Sequence, residues 1–563
     1  MNIQYKYSTL ALSVTACTWL ISGISHAAPV PNAGQLLQQQ QQLTLSAPQA
    51  AVDVESTQAQ LNPNDSDLQI PIRKIIIEGN RQFSTAQLHA LVADAENKSM
   101  NLTDLRTLAQ RLTDFYHSQG YIYSQAYLPQ QTLSDGVLKI AILEAVYDQT
   151  QINNQSRTQD WLLAATKAPL KQGSHIEQEQ MQHQLKLLNR LNGVSTRNVL
   201  TPGTTTGSSQ LNIDVQDTAL VTGYVGADNF GNRYTGEARL TAGVALNNLA
   251  GLGDQLSVEG MTTGPELNYG KVGYDFAFTG MGTRAGVSYS YLDYELGKEL
   301  ENIGAEGSAA QTSVWLSQPV LLSNTAELSV SLQYDHKQLE DDINLNQYYK
   351  HRDIDLITAR LDGAQYDQGF GGGLNQYGAS SSYGRVTFKN DNAQALDAQG
   401  AHTQGNFYHV SANLSRLQNL GSKGTQAYAG IYGQYSPYNL DNAEQYLGGG
   451  PYNVRGYESS QLAGSSGYYV NLELRQNLLN NAKNLVGGKV FIDTTEMTLN
   501  ADRWAGLTGS NKARLSSAGL GLNWSSALNI QASAEVAFPI GSTPEQLQSR
   551  DDSQYWLSLR KTF

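Results

Sequence analysis

The chain has 563 residues, 40% of them hydrophobic and only 15% charged, with 52 glycines, 31 tyrosines and 11 phenylalanines. A net charge of −13 argues against general nucleic-acid binding. A mean hydropathy of −0.39 suggests a soluble protein, yet strands that alternate apolar and polar residues average to such a value in a membrane barrel too.

Residues 1–27 read as a secretory signal. Lys6 supplies the positive start, an apolar run reaches from Leu10 to Ile24, and Ser25-His26-Ala27 is a small-x-small cleavage site. Val14-Thr15-Ala16-Cys17 loosely fits a lipid-attachment box, but Trp19-Leu20-Ile21 carries the apolar run past Cys17, so ordinary cleavage after Ala27 is the expectation. Cys17 is the only cysteine, so the mature chain is expected to lack disulfides, cysteine zinc sites and thiol catalysis. Beyond the signal, no apolar run approaches the ~20 residues of a membrane helix, which leaves a barrel as the only means of spanning.

Residues 28–69 are low in complexity. The glutamine run Gln38 to Gln42 and its neighbours predict a short helix from about Gln35 to Leu43, and Pro48, Pro63 and Asn62-Pro63-Asn64-Asp65-Ser66 read as linker. On composition alone a disordered tail is the stronger reading of this segment.

Residues 70–145 form a first small module. Ile72 to Ile77 is a strand turned by Glu78-Gly79-Asn80, and Ser84 caps a helix to about Ala95. A second helix, Thr103 to Ser118, presents Leu105, Leu108, Leu112 and Phe115 on one face. Strands Tyr123 to Tyr127 and Val137 to Leu143 follow, separated by Ser134-Asp135-Gly136. Residues 146–217 repeat the pattern more weakly. Helices at Trp161 to Ala165 and Ile176 to Leu191 (Met181, Leu185, Leu188 and Leu191 on one face) precede strands Val194 to Leu200 and Gln210 to Val215.

From 218 to 563 the period is two. Ala238, Leu240, Ala242, Val244 and Leu246 alternate with Glu237, Arg239, Thr241 and Gly243; Leu328, Val330, Leu332 and Tyr334 alternate with Glu327, Ser329, Ser331 and Gln333. About sixteen such segments occur, each near the ~9–11 residues of a tilted membrane strand. Short connections (Thr279 to Thr283, Ser525 to Asn529) alternate with long ones (Gly297 to Ala310, Tyr438 to Gly467). A soluble sandwich would not set Glu237 and Arg239, or Glu473 and Arg475, opposite an apolar stripe unless that side were wet. The expected fold is therefore two α+β modules followed by an all-β transmembrane barrel of about sixteen antiparallel strands.

The long loop at 436–466 carries one arginine, Arg455, within Val454-Arg455-Gly456-Tyr457. In Lys489-Val490-Phe491-Ile492-Asp493-Thr494, Val490 and Ile492 share one face while Phe491 and Asp493 share the other. If the loop enters the lumen, an Arg455–Asp493 pair with Phe491 beside it is expected, since arginine presents a planar fork to a carboxylate. On spacing alone, an exposed loop arginine near an unrelated aspartate is the alternative.

Val454-Arg455-Gly456-Tyr457, after Leu447-Gly448-Gly449, resembles the hallmark loop of the outer-membrane assembly and secretion superfamily, and Phe491-Ile492-Asp493 resembles its companion strand motif. Gly79-Asn80 with Phe83-Ser84, and Gly120-Tyr121, stand where POTRA domains have them, and Asp228-Asn229-Phe230-Gly231 to Thr235-Gly236 fits the same branch. Together these features resemble the TpsB outer-membrane transporters of two-partner secretion. The resemblance implies export of a large β-helical exoprotein of the TpsA type (an adhesin, a cytolysin or a contact-dependent inhibition toxin), captured in the periplasm through its N-terminal secretion domain. It further implies outer-membrane lipids around the barrel, the barrel assembly machinery during biogenesis, a plug helix at Gln35, Leu36, Leu37 and Leu43, and no cofactor. Capture would add a strand to an exposed POTRA edge, with Tyr123 to Tyr127 and Arg197 to Leu200 as the candidates.

Other function classes have less support. Asp335-His336 has no matching set of carboxylates for a barrel protease. Neither Gly-x-Ser-x-Gly nor H-E-x-x-H occurs, so no catalytic residue and no metal site are assigned. A passive porin would not explain two modules before the barrel, and an outer-membrane assembly factor usually carries more POTRA modules and no plug helix.

Overall fold

The computed structural model describes residues 30–41, 55–56, 69–133, 135–421, 424–547 and 549–563. The expected signal, Leu43 and most of the linker lie outside the described residues.

In the first module, β2 (Ile70–Ile72) pairs with β4 (Lys98–Met100), while β3 (Lys74–Glu78), β6 (Val137–Leu143) and β5 (Gln125–Tyr127) form a three-stranded sheet with β3 and β6 parallel. Two helices, α2 (Thr85–Ala90) and α3 (Leu102–Ser118), cover it. The expected Ser84 cap is a full capping box with Gln87. The helix stops five residues before the expected Ala95, because Val92 leaves helical geometry (φ −128°) and Ala93–Ala95 closes as a separate 3₁₀ turn. Leu88, Leu105, Leu108, Leu112 and Tyr116 bury against Ile75, Ile77 and Ile140. Tyr116 donates its hydroxyl to Glu144 at 2.7 Å, and the same carboxylate oxygen accepts the N–H groups of Arg81 and Gln82. This ties the turn after β3 to the end of β6.

The second module repeats the plan with β7 (Val146–Gln155), α4 (Asp160–Lys167), α5 (Gln178–Asn189), β8 (Val194–Pro202) and β9 (Ser208–Asp217). Its sheet runs β1-β8-β9-β7, where β1 (Glu55–Ser56) comes from the linker. The module is seated on the near rim of the barrel. Lys186, 1% exposed in its side chain, pairs with Glu327 at 2.9 Å. Asn324 donates its N–H to Gln182, and Asn248 donates to the Thr158 hydroxyl at 2.9 Å.

The rest of the chain is a closed barrel of sixteen antiparallel strands, β10 (Val221–Asp228) through β20 (Thr425–Tyr435) and β23 (Ser466–Asn480) through β27 (Gln554–Thr562). Two short strands, β21 (Tyr446–Gly448) and β22 (Leu462–Gly464), form a hairpin inside the long loop. Closure between β10 and β27 rests on five residue pairs, Tyr224↔Thr562 to Asp228↔Ser558. Asn229 extends it by donating to the Tyr555 carbonyl and accepting from the Leu557 N–H, both at 2.7 Å.

The strand faces follow the expected parity. Leu240 is 61% exposed, Leu332 51% and Leu472 49%, whereas the inward Arg239, Asp335, Lys337 and Glu473 are all buried. An exterior of apolar side chains around an interior of charges is the inverse of a soluble fold and suits a lipid-facing wall. Strand length departs from expectation: β15 (Ala305–Leu322), β16 (Ala326–Ile343) and β17 (Tyr348–Asp367) run 18, 18 and 20 residues. Much of the loop expected at Gly297 to Ala310 is therefore ladder. Pairing continues beyond the bilayer because it satisfies backbone groups at no cost in burial, and the raised wall encloses what fills the lumen.

Candidate functional site

The loop between β20 and β23 folds into the barrel and brings Arg455 to Asp493 on β24 (Asn484–Thr498). Arg455 Nε donates to Asp493 Oδ2 at 2.8 Å and Nη2 to Oδ1 at 2.9 Å, while the Arg455 backbone N–H adds a third bond at 3.2 Å. Asp493 is fully buried and also accepts from Asn471 at 2.7 Å and the Tyr469 hydroxyl at 3.1 Å. The guanidinium carbon lies 3.3 Å from the centroid of the Phe491 ring, a cation–π contact on a desolvated face. Trp556 donates its indole N–H to the Arg455 carbonyl at 2.7 Å, linking the loop to the last strand beside the closure seam.

Sequence reasoning found this pair and missed its surroundings. Arg455 Nη1 also reaches Glu473 at 2.9 Å and Glu535 at 3.0 Å; Arg475 holds Glu473 and Lys489 holds Glu535, each at 2.7 Å. Three cations thus face three carboxylates. The signal was present: Glu473, Asp493 and Glu535 share the inward parity of their strands. The register pairs Glu473 with Phe491, while Gly521 lies between Lys489 on one side and Glu535 on the other.

The neighbours of Arg455 are explained by contact. Val454 and Tyr457 are buried with Leu462, Met497 and Leu515. A Cβ added to Gly456 would stand 2.6 Å from the Ser517 Cβ and 3.0 Å from the Pro539 nitrogen, so only glycine lets this turn lie against the wall.

The opposite wall holds the loop's first part. Arg352, fully buried, donates to Asp441 at 2.6 Å and Asp341 at 2.7 Å; Lys337 donates to Glu444 at 2.6 Å, and His409 stands 3.4 Å from the same carboxylate. The loop therefore crosses the lumen with ion pairs at both ends. None of these residues was singled out from sequence.

Within the remaining space lies α1 (Ala33–Gln41), two residues ahead of the span expected from sequence. Asn32 accepts from the Gln35 N–H at its start, and Ala33, Leu36 and Leu37 bury among Leu292, Leu339, Ile354 and Phe407. The Ala33 N–H donates to Asp341 at 2.7 Å, a carboxylate at a helix N-terminus, and the Tyr294 hydroxyl donates to the same oxygen. Gln38 and Gln39 donate to the Gln445 carbonyl and the Ser460 hydroxyl of the loop. A Cβ on Gly34 would stand 2.6 Å from the Ala443 Cβ, so helix and loop are in backbone contact. Gln35 is 2% exposed, and its Nε2 has no partner among the described residues.

The two expected POTRA edges differ. Tyr127 ends the edge strand β5 and is exposed, whereas Tyr123 precedes the strand and packs towards the second module. Arg197 and Leu200 lie on β8, where Leu200 faces the core and the outer edge at Val199 and Leu200 carries β1 in parallel register. Asp335 and His336 point to opposite faces of β16: Asp335 bonds Ser313 and Gln311 inside, His336 bonds Asp355 outside. They form no acid–histidine pair. Among the described residues no group of three or more His, Cys, Asp or Glu is placed to hold a metal.

Comparison with known proteins adds to this geometry. Residues 70–145 match the ShlB-type POTRA domain, and residues 207–534 match the family described as haemolysin secretion/activation protein ShlB/FhaC/HecB. The chain is 25% identical to the heme/hemopexin transporter protein HuxB of Haemophilus influenzae strain 86-028NP across the full length of both chains. It is also 25% identical to the outer membrane transporter CdiB of Escherichia coli O6:K15:H31 strain 536, over 83% of this chain and 80% of that one. The solved structure of CdiB from Escherichia coli superposes with a TM-score of 0.71 at 22% identity, covering 94% of this chain and 98% of the other.

Proposed function

The chain belongs to the haemolysin secretion/activation protein family ShlB/FhaC/HecB, and on that premise we propose that it exports one large, unfolded, β-helix-forming exoprotein through its own lumen. It is an outer-membrane transporter of the two-partner secretion type, with its POTRA modules in the periplasm. In this reading the POTRA modules capture the exoprotein's N-terminal secretion domain, α1 is a plug that leaves during transport, and the loop around Arg455 keeps the lumen in its working shape.

The observation that carries the reading is the composition of what fills the pore. A helix meant for permanent burial would be apolar, yet α1 carries Gln35, Gln38, Gln39, Gln40 and Gln41 within nine residues. Glutamine is a good helix former that water also solvates well, so release costs the polar face of the helix little, while Ala33, Leu36, Leu37 and the bond to Asp341 hold it in its seat. A helix this short is marginal alone in water and holds its shape only while seated. The loop, by contrast, is tied by buried ion pairs at both ends. No nucleotide-binding G-x-x-x-x-G-K-[ST] stretch occurs in the sequence, and folding of the cargo outside supplies direction.

The test is secretion of a co-expressed large TpsA-type exoprotein, in cells with the wild-type protein, without it, or with residues 70–145 deleted and barrel insertion checked by heat-modifiable migration. Cargo in the medium only with the wild type supports the reading. Equal secretion in its absence refutes it, and undiminished secretion by the deletion variant refutes POTRA capture.

A further inference from the structure

The outer wall of the barrel carries a depression of about 550 Å³ between β19 (Gly405–Asn419) and β24. Register explains it. Two outward rows cross four strands, Arg416–Ala429–Leu472–Ile492 and Gln418–Ala427–Leu474–Val490, and each dips at an alanine of β20. The floor is therefore two methyl groups, the far side is a ridge of large aliphatic side chains, and polar groups stand on the near side. Such a mostly apolar hollow with a few polar groups at one edge is of ligand-site size and character. The turns after β17 and β19 lie at the periplasmic end: Gly282 lies against Leu187 and Asn324 bonds Gln182 of the second module, and antiparallel alternation puts these two turns at the same end. Arg416 donates to Asp367 at 2.6 and 3.0 Å and to Asn375 at 2.8 Å, and Gln418 accepts from its remaining N–H groups. The Arg416 and Asp367 side chains are 33% and 31% exposed, so a cation and an anion stand side by side at the mouth of the groove. Gln418 also donates to the carbonyls of Gly369, Phe370 and Gly372, which fixes the turn after β17. That turn holds Phe370 94% exposed at φ +53°, a strained backbone for a bulky residue. A ring held out at this depth suits the boundary between headgroups and acyl chains.

We propose that this groove binds one zwitterionic glycerophospholipid of the periplasmic leaflet, of the phosphatidylethanolamine class. An acyl chain lies over Ala427 and Ala429, the phosphate meets Arg416 and the primary ammonium meets Asp367. Leu472 and Leu474 share the outward parity of the lipid-facing wall. A depression one strand wide accepts a flexible chain, whereas a flat protein wall would bridge over it. Bilayer hydrocarbon is as apolar as the groove, so burial alone retains no lipid there and the headgroup must. A paired arginine and aspartate match a headgroup with one charge of each sign better than an anionic one. The inner face of the same wall carries Glu473, Phe491 and Asp493, so the lipid lies directly behind the grip on Arg455. Such a lipid binds whatever cargo the barrel carries.

The test is native mass spectrometry of the full-length protein in mild detergent, mixed with equal amounts of phosphatidylethanolamine and phosphatidylglycerol of identical acyl chains. The wild type is expected to keep one lipid per chain, phosphatidylethanolamine over phosphatidylglycerol by about 5-fold or more. Ala429→Leu, or Ala427→Leu in its place, fills the floor of the groove and should cut the retained fraction about 10-fold. Asp367→Asn leaves the cation alone and should reverse the preference to phosphatidylglycerol. Heat-modifiable migration confirms a closed barrel for each variant. Equal retention of the two lipids by the wild type, unchanged retention in the leucine variants, or an unchanged preference in Asp367→Asn overturns the proposal. A dimer peak that Ala429→Leu abolishes, in place of a lipid adduct, also overturns it and gives the groove to a second copy of this chain.

Discussion

Replacing Arg455 by alanine removes, among the described residues, the one side chain that pairs with Asp493, Glu473 and Glu535 at once. Asp493 is wholly buried and keeps only the neutral donors Asn471 and Tyr469 at its Oδ1 atom and Ser517 at Oδ2. Glu473 and Glu535 retain Arg475 and Lys489, so the loss falls mainly on Asp493. Breaking a buried pair at one partner costs ~3–5 kcal/mol, which raises the population with a detached loop by roughly two to three and a half orders of magnitude. Arg455→Lys keeps the charge and loses the two-pronged grip and the flat face on Phe491, so about half of that loss is expected. The assay is limited proteolysis of residues 436–465 in detergent, with heat-modifiable migration confirming that the barrel stays closed. Adding Asp493→Asn to Arg455→Ala removes the stranded charge and should recover part of the protection. The reasoning is refuted if Arg455→Ala is cleaved no faster than the wild type, or if the double variant is more labile than the sum of the singles.

Asp341→Ala deletes the acceptor at the start of the lumenal helix; a hydrogen bond to a charged group is worth ~1.5–3 kcal/mol, so open-pore probability in planar bilayers should rise roughly 10- to 100-fold. Gly34→Val should open the pore further, because its branched side chain enters the space of Ala443. Lys186→Ala strands Glu327 at the seat of the second module for about 3–5 kcal/mol, and tryptic release of residues 70–217 should quicken while barrel migration stays unchanged. The Glu96 carboxyl is held below its ordinary value of 4.5, first by the Ile75 N–H and then by the His89 ring. A depressed carboxyl stabilises the fold above its unfolded value and loses that contribution as pH falls through the folded one. Glu96→Gln should therefore lower the first module's thermal midpoint at neutral pH, and the difference from wild type should shrink progressively as pH falls below 4.5.

The barrel was legible because its signal is repeated: sixteen strands each put Leu, Val or Tyr on one parity and charge or small residues on the other, and Leu472 beside Glu473 is the pattern in miniature. Arg455 and Asp493 were legible as a pair for the same reason, since Val490 and Ile492 fix the face of Asp493. Glu473 and Glu535 escaped because a lumenal partner depends on register between strands, which neither parity nor spacing within one strand reports. The Arg352–Asp341–Asp441 network escaped for a further reason. It joins a strand wall to a loop and a helix remote in sequence, and nothing local in Asp441 or Asp341 marks the meeting. The glutamines allowed a helix but favoured a tail, and the family resemblance raised the helix reading; its span lies two residues out of place because helix propensity marks extent better than ends, and Asn32 rather than the glutamine run sets the start. Strand β1 left no sequence signal at all, since two residues carry no periodicity.

Transport by the purified protein decides whether this lumen alone is the route for cargo. Proteoliposomes holding only this chain, POTRA side out, are given the unfolded N-terminal part of the TpsA-type exoprotein, and protease is then added outside. Export through the lumen leaves cargo protected inside wild-type vesicles and fully digested with empty vesicles. Cargo equally digested by protease with wild-type and with empty vesicles would contradict it.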